Sequence, residues 1–373
     1  EKIDASYRGP EVAFTAPYIT EMVRQEMVKR YGDNAYTDGF KVYTTITRKL
    51  QTAAQDAVRK NVIDYDMRHG YRGPQKVLWK PADQPWDNAR VNDELNSLPV
   101  YGPLYPAVVM SATPGSASVV MKGGTTLSLS LDAVRWARPF KSDTLQGATP
   151  RSVDQVVQPG QLIWVRQADS QRMLAQVPDV NSALVSLNSK TGAIIALVGG
   201  FDYGQSMFNR ATQALRQVGS NIKPFLYTAA MDKGLTLATM LNDAPISRWD
   251  AGAGANWRPH NSPNTYDGPI RLREGLGLSK NVVMVRAMRA MGVDYAVQYL
   301  QRLGFPAQNI VHTESLALGA ASFTPLQMVR GYATLTNGGF LIDPWFIQRI
   351  ENADGTTAFE EKPKIACPEC NIP

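Results

Sequence analysis

"NSKTGAIIALVGG", residues 188–200, sets a Lys-Thr-Gly between two apolar runs, Ser182–Leu187 and Ala193–Val198. A Lys-Thr-Gly on a strand can serve serine acyl transfer, so its setting decides whether the stretch is a site or a connector. A short Asn-, Ser- and Gly-containing segment between two strand-like runs is a hairpin turn, and Gly192 supplies the positive φ such a turn needs. Lys190, Thr191 and Gly192 are therefore expected to form that turn. They are not assigned chemistry.

Beyond Val180 the pattern alternates between strands and helices, with helices expected over Ser220–Met231, Lys280–Met291 and Asp294–Leu303. Between Gly73 and Pro178 the texture differs. Short alternating runs at Ala107–Ala112, Ser116–Lys122, Thr125–Asp132, Gln161–Gln167 and Arg172–Val177 suggest a small barrel of the oligonucleotide/oligosaccharide-binding (OB) type. Gly123-Gly124 marks a hairpin inside it. The chain opens with a helix pattern over Pro17–Arg30 stopped by Gly32, a strand over Phe40–Ile46, and a helix over Arg48–Val62. "YRGP" occurs at Tyr7–Pro10 and Tyr71–Pro74, but the flanks differ and both copies read as turns. Three segments result: 1–72, a linker helix with the first part of the main domain; 73–178, the β insertion; and 179–373, the main domain.

At 373 residues, 44% hydrophobic and 19% charged, the chain is long and apolar enough for two or three folded domains. Its longest apolar runs fall far short of the roughly 18 residues a spanning helix needs. The start at Glu1 without a Met is read as a mature form or a fragment, compatible with an upstream anchor. The net charge is +6, yet the basic residues are scattered, and those in Arg24–Arg30, Arg48–Lys60 and Arg271–Arg289 read as solvated helix faces. No nucleic-acid partner is expected. Cys367 and Cys370 form a lone "CPEC", read as a local disulfide or two free thiols. With no HExxH and no Gly-rich phosphate loop, neither a metal nor a cofactor is expected.

"RQVGSNIKPF" holds the one Ser-x-x-Lys of the chain, Ser220 to Lys223. Where Ser220 opens a helix, positions i and i+3 share a face, and a Lys223 amine there can take the hydroxyl proton. That requires burial and a neighbouring cation to keep the amine partly neutral. The bland alternative is a helix-capping serine beside a surface lysine. Ser-x-Asn occurs three times, at Ser186–Asn188, Ser262–Asn264 and Ser279–Asn281. The third directly precedes the apolar helix "VVMVRAM", which favours Ser279 as proton relay and Asn281 as a substrate-amide contact. His69, His260 and His312 sit beside no evident nucleophile, so a histidine triad is not expected.

With these residues in hand, the chain resembles the class A penicillin-binding proteins, in the large enterobacterial-type form with a barrel insertion. The likeness runs through "DGFKVYTTITRKLQTAAQ", "SALVSLNSKTGAIIALVGGFDY", "FNRATQALRQVGSNIKPFLYTAAMDKG", "GPIRLREGLGLSKNVVMVRAM" and "SLALGAASFTPLQMVRGYATLTNGGF". It implies an α/β (α+β) serine D,D-transpeptidase domain, β-lactamase-like in fold, with an inserted OB-like barrel. Ser220 is then the acylated nucleophile, Lys223 its base, and Ser279 with Asn281 the second, substrate-binding motif. Implied partners are stem peptides ending in D-Ala-D-Ala, β-lactams held covalently at Ser220, and an outer-membrane lipoprotein activator on the 73–178 barrel. The implied location is the periplasmic face of the inner membrane, through an N-terminal anchor outside this chain. The resemblance also places a glycosyltransferase domain upstream and the family's own Lys-Thr-Gly beyond Pro373, so slow acylation of this chain alone is expected. A β-lactamase-like hydrolase and a β-lactam-binding sensor or scaffold without turnover are the alternative readings.

Overall fold

The computed structural model describes residues 14–80, 82–168, 171–250 and 255–367; Tyr7–Pro10 and Cys370 lie outside them. The chain divides into two compact units: one gathers residues up to Glu21, Arg48–Leu184 and Val198–Asn209, the other Met22–Thr47, Val185–Leu197 and Arg210 onward.

The first unit is built on one six-stranded antiparallel sheet. Leu104–Ala112 pairs with both Ser116–Met121 and Gln161–Ala168, Thr126–Ser130 flanks the former, and Lys76–Val77 and Gln171–Ala175 both pair with the latter. All five expected strands are present, with a sixth short one. Side chains alternate across the sheet with the two-residue period of extended chain. Ala107 and Val109 pack with Val119, Ile163, Val165 and Leu174 on one face. Val108 packs with Val120, Leu162 and Trp79 on the other, beneath Val91 and Leu95 of the helix Asn88–Ser97. Sequence reading missed that helix; it starts where the Asp87 carboxylate accepts the Arg90 N–H at 2.8 Å, an N-cap. Gly123 and Gly124 take φ of 90° and 78°, as their hairpin requires. Tyr71 of the second "YRGP" bridges Pro139, while Arg72 pairs with the buried Asp66 at 2.8 Å and Asp66 also accepts from Gln176 at 2.7 Å. That clamp ties the helix Arg48–His69, seven residues longer than expected, to the end of the sheet.

The second unit has its core around three helices: α1, Lys223–Asp232; α2, Asn281–Met291; and α3, Val293–Arg302. α1 buries Phe225, Leu226, Tyr227, Ala229 and Ala230, so it is apolar on most of its circumference and must run through an interior. Its neighbours in the core are Val282, Val283, Val285 and Met288 of α2, and Val297 and Leu300 of α3. Each such side chain contributes roughly 1.5–3 kcal/mol by leaving water. Helix Pro325–Thr336, also unanticipated, opens with a capping box between Thr324 and Gln327. The early strand Lys41–Thr44 finds its partner only at Ile347–Glu351, which in turn pairs with Thr357–Glu360.

The hairpin Leu184–Leu187/Ile194–Val198 is as expected. Asn188 Oδ1 accepts from the N–H of Lys190 at 2.9 Å and of Thr191 at 3.1 Å, and Gly192 has φ 78°. A Cβ on Gly192 would lie 2.2 Å from Asp343 O, so the Gly is dictated by packing as well as by the turn. Cys367 is disulfide-bonded, so the free-thiol reading does not hold for it; Cys370 lies outside the described residues. No helix among the described residues is long and apolar enough to cross a membrane.

Candidate active site

Ser220 lies in a single 3₁₀ turn, Gly219–Ile222, that leads directly into α1, not in the α-helix expected from sequence. The change of winding is permitted by local residues and held by distant ones. Gly219 adopts φ 54°, and Pro224 occupies the first turn of α1 where a missing N–H costs nothing. Residues i and i+3 of a 3₁₀ turn eclipse, so the tighter winding stacks Ser220 over Lys223 more directly than an α-turn would. The Lys223 N–H closes the turn on Ser220 O. Ser220's side chain caps neither helix, which removes the capping explanation for its presence. Behind it the turn rests on bare backbone: Gly219 N–H donates to Gly319 O at 3.1 Å, and a Cβ on Gly319 would fall 2.0 Å from Gly219 O.

Ser220 is exposed while Lys223 is 1% exposed. The Lys223 Nζ donates to Ser279 O at 2.6 Å, Ser279 Oγ at 3.0 Å and Asn281 Oδ1 at 2.7 Å. Three of the four residues singled out in the sequence are thus joined by direct hydrogen bonds, and the fourth is one turn away. Burial brings the Lys223 amine down to about 8 from an ordinary 10.5. The neighbouring cation anticipated for this task is not among the causes; Lys280 directs its ammonium elsewhere. Ser279 has φ 52°, the one non-glycine with positive φ among the described residues. Such an outlier costs of order 1–3 kcal/mol and persists only where its surroundings enforce it.

Lys280, read from sequence as part of a solvated basic face, is instead buried at 8% exposure. Its Nζ meets Asp243 at 2.9 Å and Asp267 at 2.5 Å, and Asp243 is fully buried. The hydrogen bond that Lys280 donates to Asp267, then the one it donates to Asp243, raises its pKa. Burial pushes Asp243 up, but hydrogen bonds from Asn261, Lys280 and the Asp267 N–H outweigh it and leave the carboxyl below its usual value. Sequence offered no signal for these partners, because nothing in a basic run indicates acids contributed by other loops. The other two Ser-x-Asn matches do not bond the Lys223 amine: Asn188 serves the hairpin turn, and Ser262 and Asn264 are exposed on the loop after His260. His260 contributes its backbone carbonyl, which accepts from Asn281 Nδ2 at 2.9 Å. Among the described residues no His, Cys, Asp and Glu cluster is arranged to hold a metal.

A buried, partly neutral amine one turn from an exposed hydroxyl and tied to a Ser-x-Asn pair is the equipment of a serine acyl-transfer enzyme. Residues 182–368 match the penicillin-binding protein transpeptidase domain, and residues 71–180 the penicillin-binding protein OB-like domain. The chain belongs to the penicillin-binding proteins and carries their transpeptidase domain.

Penicillin-binding protein 1A of Escherichia coli (strain K12) is 69% identical over 373 residues, covering 100% of this chain and 44% of that protein. The protein of that name from Haemophilus influenzae is 52% identical, covering 100% and 42%. The chain therefore spans less than half the length of these relatives. The crystal structure of penicillin-binding protein 1A from Haemophilus influenzae superimposes with a TM-score of 0.88 at 50% identity, over 96% of this chain and 52% of that one. The PonA1 protein of Mycobacterium tuberculosis shares the fold, with a TM-score of 0.53 at 18% identity over 92% of this chain and 62% of that one.

Proposed function

We propose that this chain performs D,D-transpeptidation on peptidoglycan stem peptides and that β-lactams acylate it at Ser220. The observation that carries the reading is the Lys223 amine, buried, lowered to about 8 and held by Ser279 and Asn281. A neutral amine has two N–H bonds and one lone pair, so it can donate to Ser279 O and Asn281 Oδ1 while its lone pair accepts the Ser220 proton. Ser220 Oγ then attacks the carbonyl carbon of the penultimate D-Ala. As the tetrahedral intermediate collapses the C–N bond breaks, and the proton passes from Lys223 through the Ser279 hydroxyl to the departing D-Ala nitrogen. The positive end of the α1 dipole favours the transient oxyanion. An amine of a neighbouring stem peptide attacks the acyl-enzyme, loses its proton by the same route and frees Ser220. A β-lactam follows the first half, but its leaving nitrogen stays tethered in the opened ring, so the ester persists.

In this reading the OB-like domain receives an outer-membrane lipoprotein activator, and the protein works at the periplasmic face of the inner membrane, held by an anchor outside this chain. The relatives' name supports penicillin binding; the partner and the location rest on the sequence resemblance alone. Benzylpenicillin labelling followed by mass spectrometry of the Ser220 peptide tests the chemistry. Intact drug mass on that peptide, lost in Ser220→Ala and released only over many minutes, is expected. Label on another residue overturns the assignment, and rapid release of hydrolysed drug favours a hydrolase.

A further inference from the structure

The N-terminus of α2 is capped from outside its own segment. Lys280 occupies the N-cap position, where Ser, Thr, Asp or Asn would normally accept the helix's orphan N–H groups, and a lysine side chain has no acceptor. Asn261 takes the role: its Oδ1 accepts from the N–H of Asn281 at 2.9 Å and of Val282 at 3.2 Å. Its amide cannot flip, because Nδ2 donates to Asp243 Oδ1 at 2.7 Å and to Thr265 O at 2.8 Å. Asp243, fully buried, is fixed by Lys280 on its other oxygen, and Lys280 also binds Asp267. The result is a closed ring of contacts from Asp243 through Asn261 to the first residue of α2 and back through Lys280. Asn281 and Ser279, which hold the Lys223 amine, flank Lys280 in the chain.

We propose that Asp243, Asn261 and Lys280 act as positioning residues for acyl transfer, fixing the 279–281 segment so that Ser279 and Asn281 hold Lys223 in line with Ser220. The inference rests on the acyl-transfer reading above and adds to it the residues that set its geometry. The remaining charged and titratable groups beside the ring are Asp267, half exposed, and His260, whose carbonyl fixes the Asn281 amide. Loosening the ring does two things. It misplaces the acceptors around the amine, and it admits water past the exposed Ser279 to a base whose depressed pKa depends on burial. A middle residue of the Ser-x-Asn motif, free to vary in the motif's notation, is here part of the machinery.

The test measures second-order acylation of the protein by a fluorescent penicillin between pH 6 and 10 for Lys280→Met, Lys280→Arg and Ser220→Ala. Lys280→Met is expected to acylate about tenfold more slowly at pH 7.5, since small misplacements of reacting groups cost one to two decades. Its half-maximal pH should also rise from about 8 toward 10.5, while non-covalent affinity for the drug changes less than threefold. Lys280→Arg keeps a cation between the two carboxylates, with room on the half-exposed Asp267 side, and should recover most of the rate. A residue that mattered only for stability would lower the melting temperature and leave the pH midpoint alone. If Lys280→Met lacks a cooperative unfolding transition, Asp267→Asn decides, with about threefold slowing and the same direction of pH shift expected. An unchanged midpoint in the deciding variant overturns the inference. Label persisting in Ser220→Ala would instead overturn the underlying reading, so the two failures are separate.

Discussion

Raising the pH from 6 to 9 titrates the Lys223 amine, and acylation should follow the neutral fraction. With a pKa of about 8, that fraction is about 1% at pH 6, about 9% at pH 7 and about 91% at pH 9. The logarithm of the second-order rate constant should therefore climb with unit slope to about pH 7, bend near 8 and flatten by 9, a total gain of about ninetyfold. A lysine at its ordinary 10.5 would be only about 0.03% neutral at pH 7, so burial supplies about 300-fold more base there. Stopped-flow measurement with a β-lactam that does not titrate in this range gives the curve directly. A rate independent of pH, or one still climbing with unit slope past pH 9, would refute the role of a buried lysine base.

The same shift has a consequence for stability. The folded pKa lies below the unfolded one, so the unfolded chain binds more protons between pH 8 and 10.5, and stability rises with pH across that window. Below pH 8 the full cost of burying the ammonium is present, at most about 3 kcal/mol and less where water reaches the site past Ser279. Urea denaturation at pH 7.5 and 10 should show that rise in the native protein and not in Lys223→Met. Comparing Ser279→Gly with Ser279→Ala removes the hydroxyl in both and isolates the φ of 52°. The glycine variant should be the more stable by about 1 kcal/mol in chemical denaturation, and equal stabilities would mean that the backbone relaxes. Tyr227 is 1% exposed with a phenolic oxygen lacking a hydrogen-bond partner among the described residues. Tyr227→Phe should raise stability by about 1 kcal/mol in the same assay, and a loss would show that the hydroxyl is bonded in solution.

The sequence disclosed those parts whose physics is local. The strands from Leu104 to Ala175 announced themselves as short apolar runs divided by turn residues, and the turn at Asn188–Gly192 because Asn and Gly satisfy a tight backbone by themselves. The cluster of Lys223 with Ser279 and Asn281, one turn from Ser220, was legible because each of two short motifs leads into an apolar helix. What escaped was set by distant partners. Lys280 looked like its solvated neighbours until Asp243 and Asp267 arrived from other strands and loops, and Asn261 had no motif to mark it as a cap for a helix twenty residues on. The Ser220 turn was taken as α-helical because the 3₁₀ winding depends on contacts with Gly319, which no window around Ser220 contains. Likewise, the strand at Lys41–Thr44 was visible from its own pattern, but its partner Ile347–Glu351 was not.

The seat beneath Ser220 narrows how this protein can change. Gly219 and Gly319 meet main chain to main chain, and a Cβ at position 319 would lie 2.0 Å from Gly219 O, so any substitution of Gly319 must displace the backbone beneath Ser220. Variation at position 319 therefore cannot add a side chain without moving the turn that carries the serine.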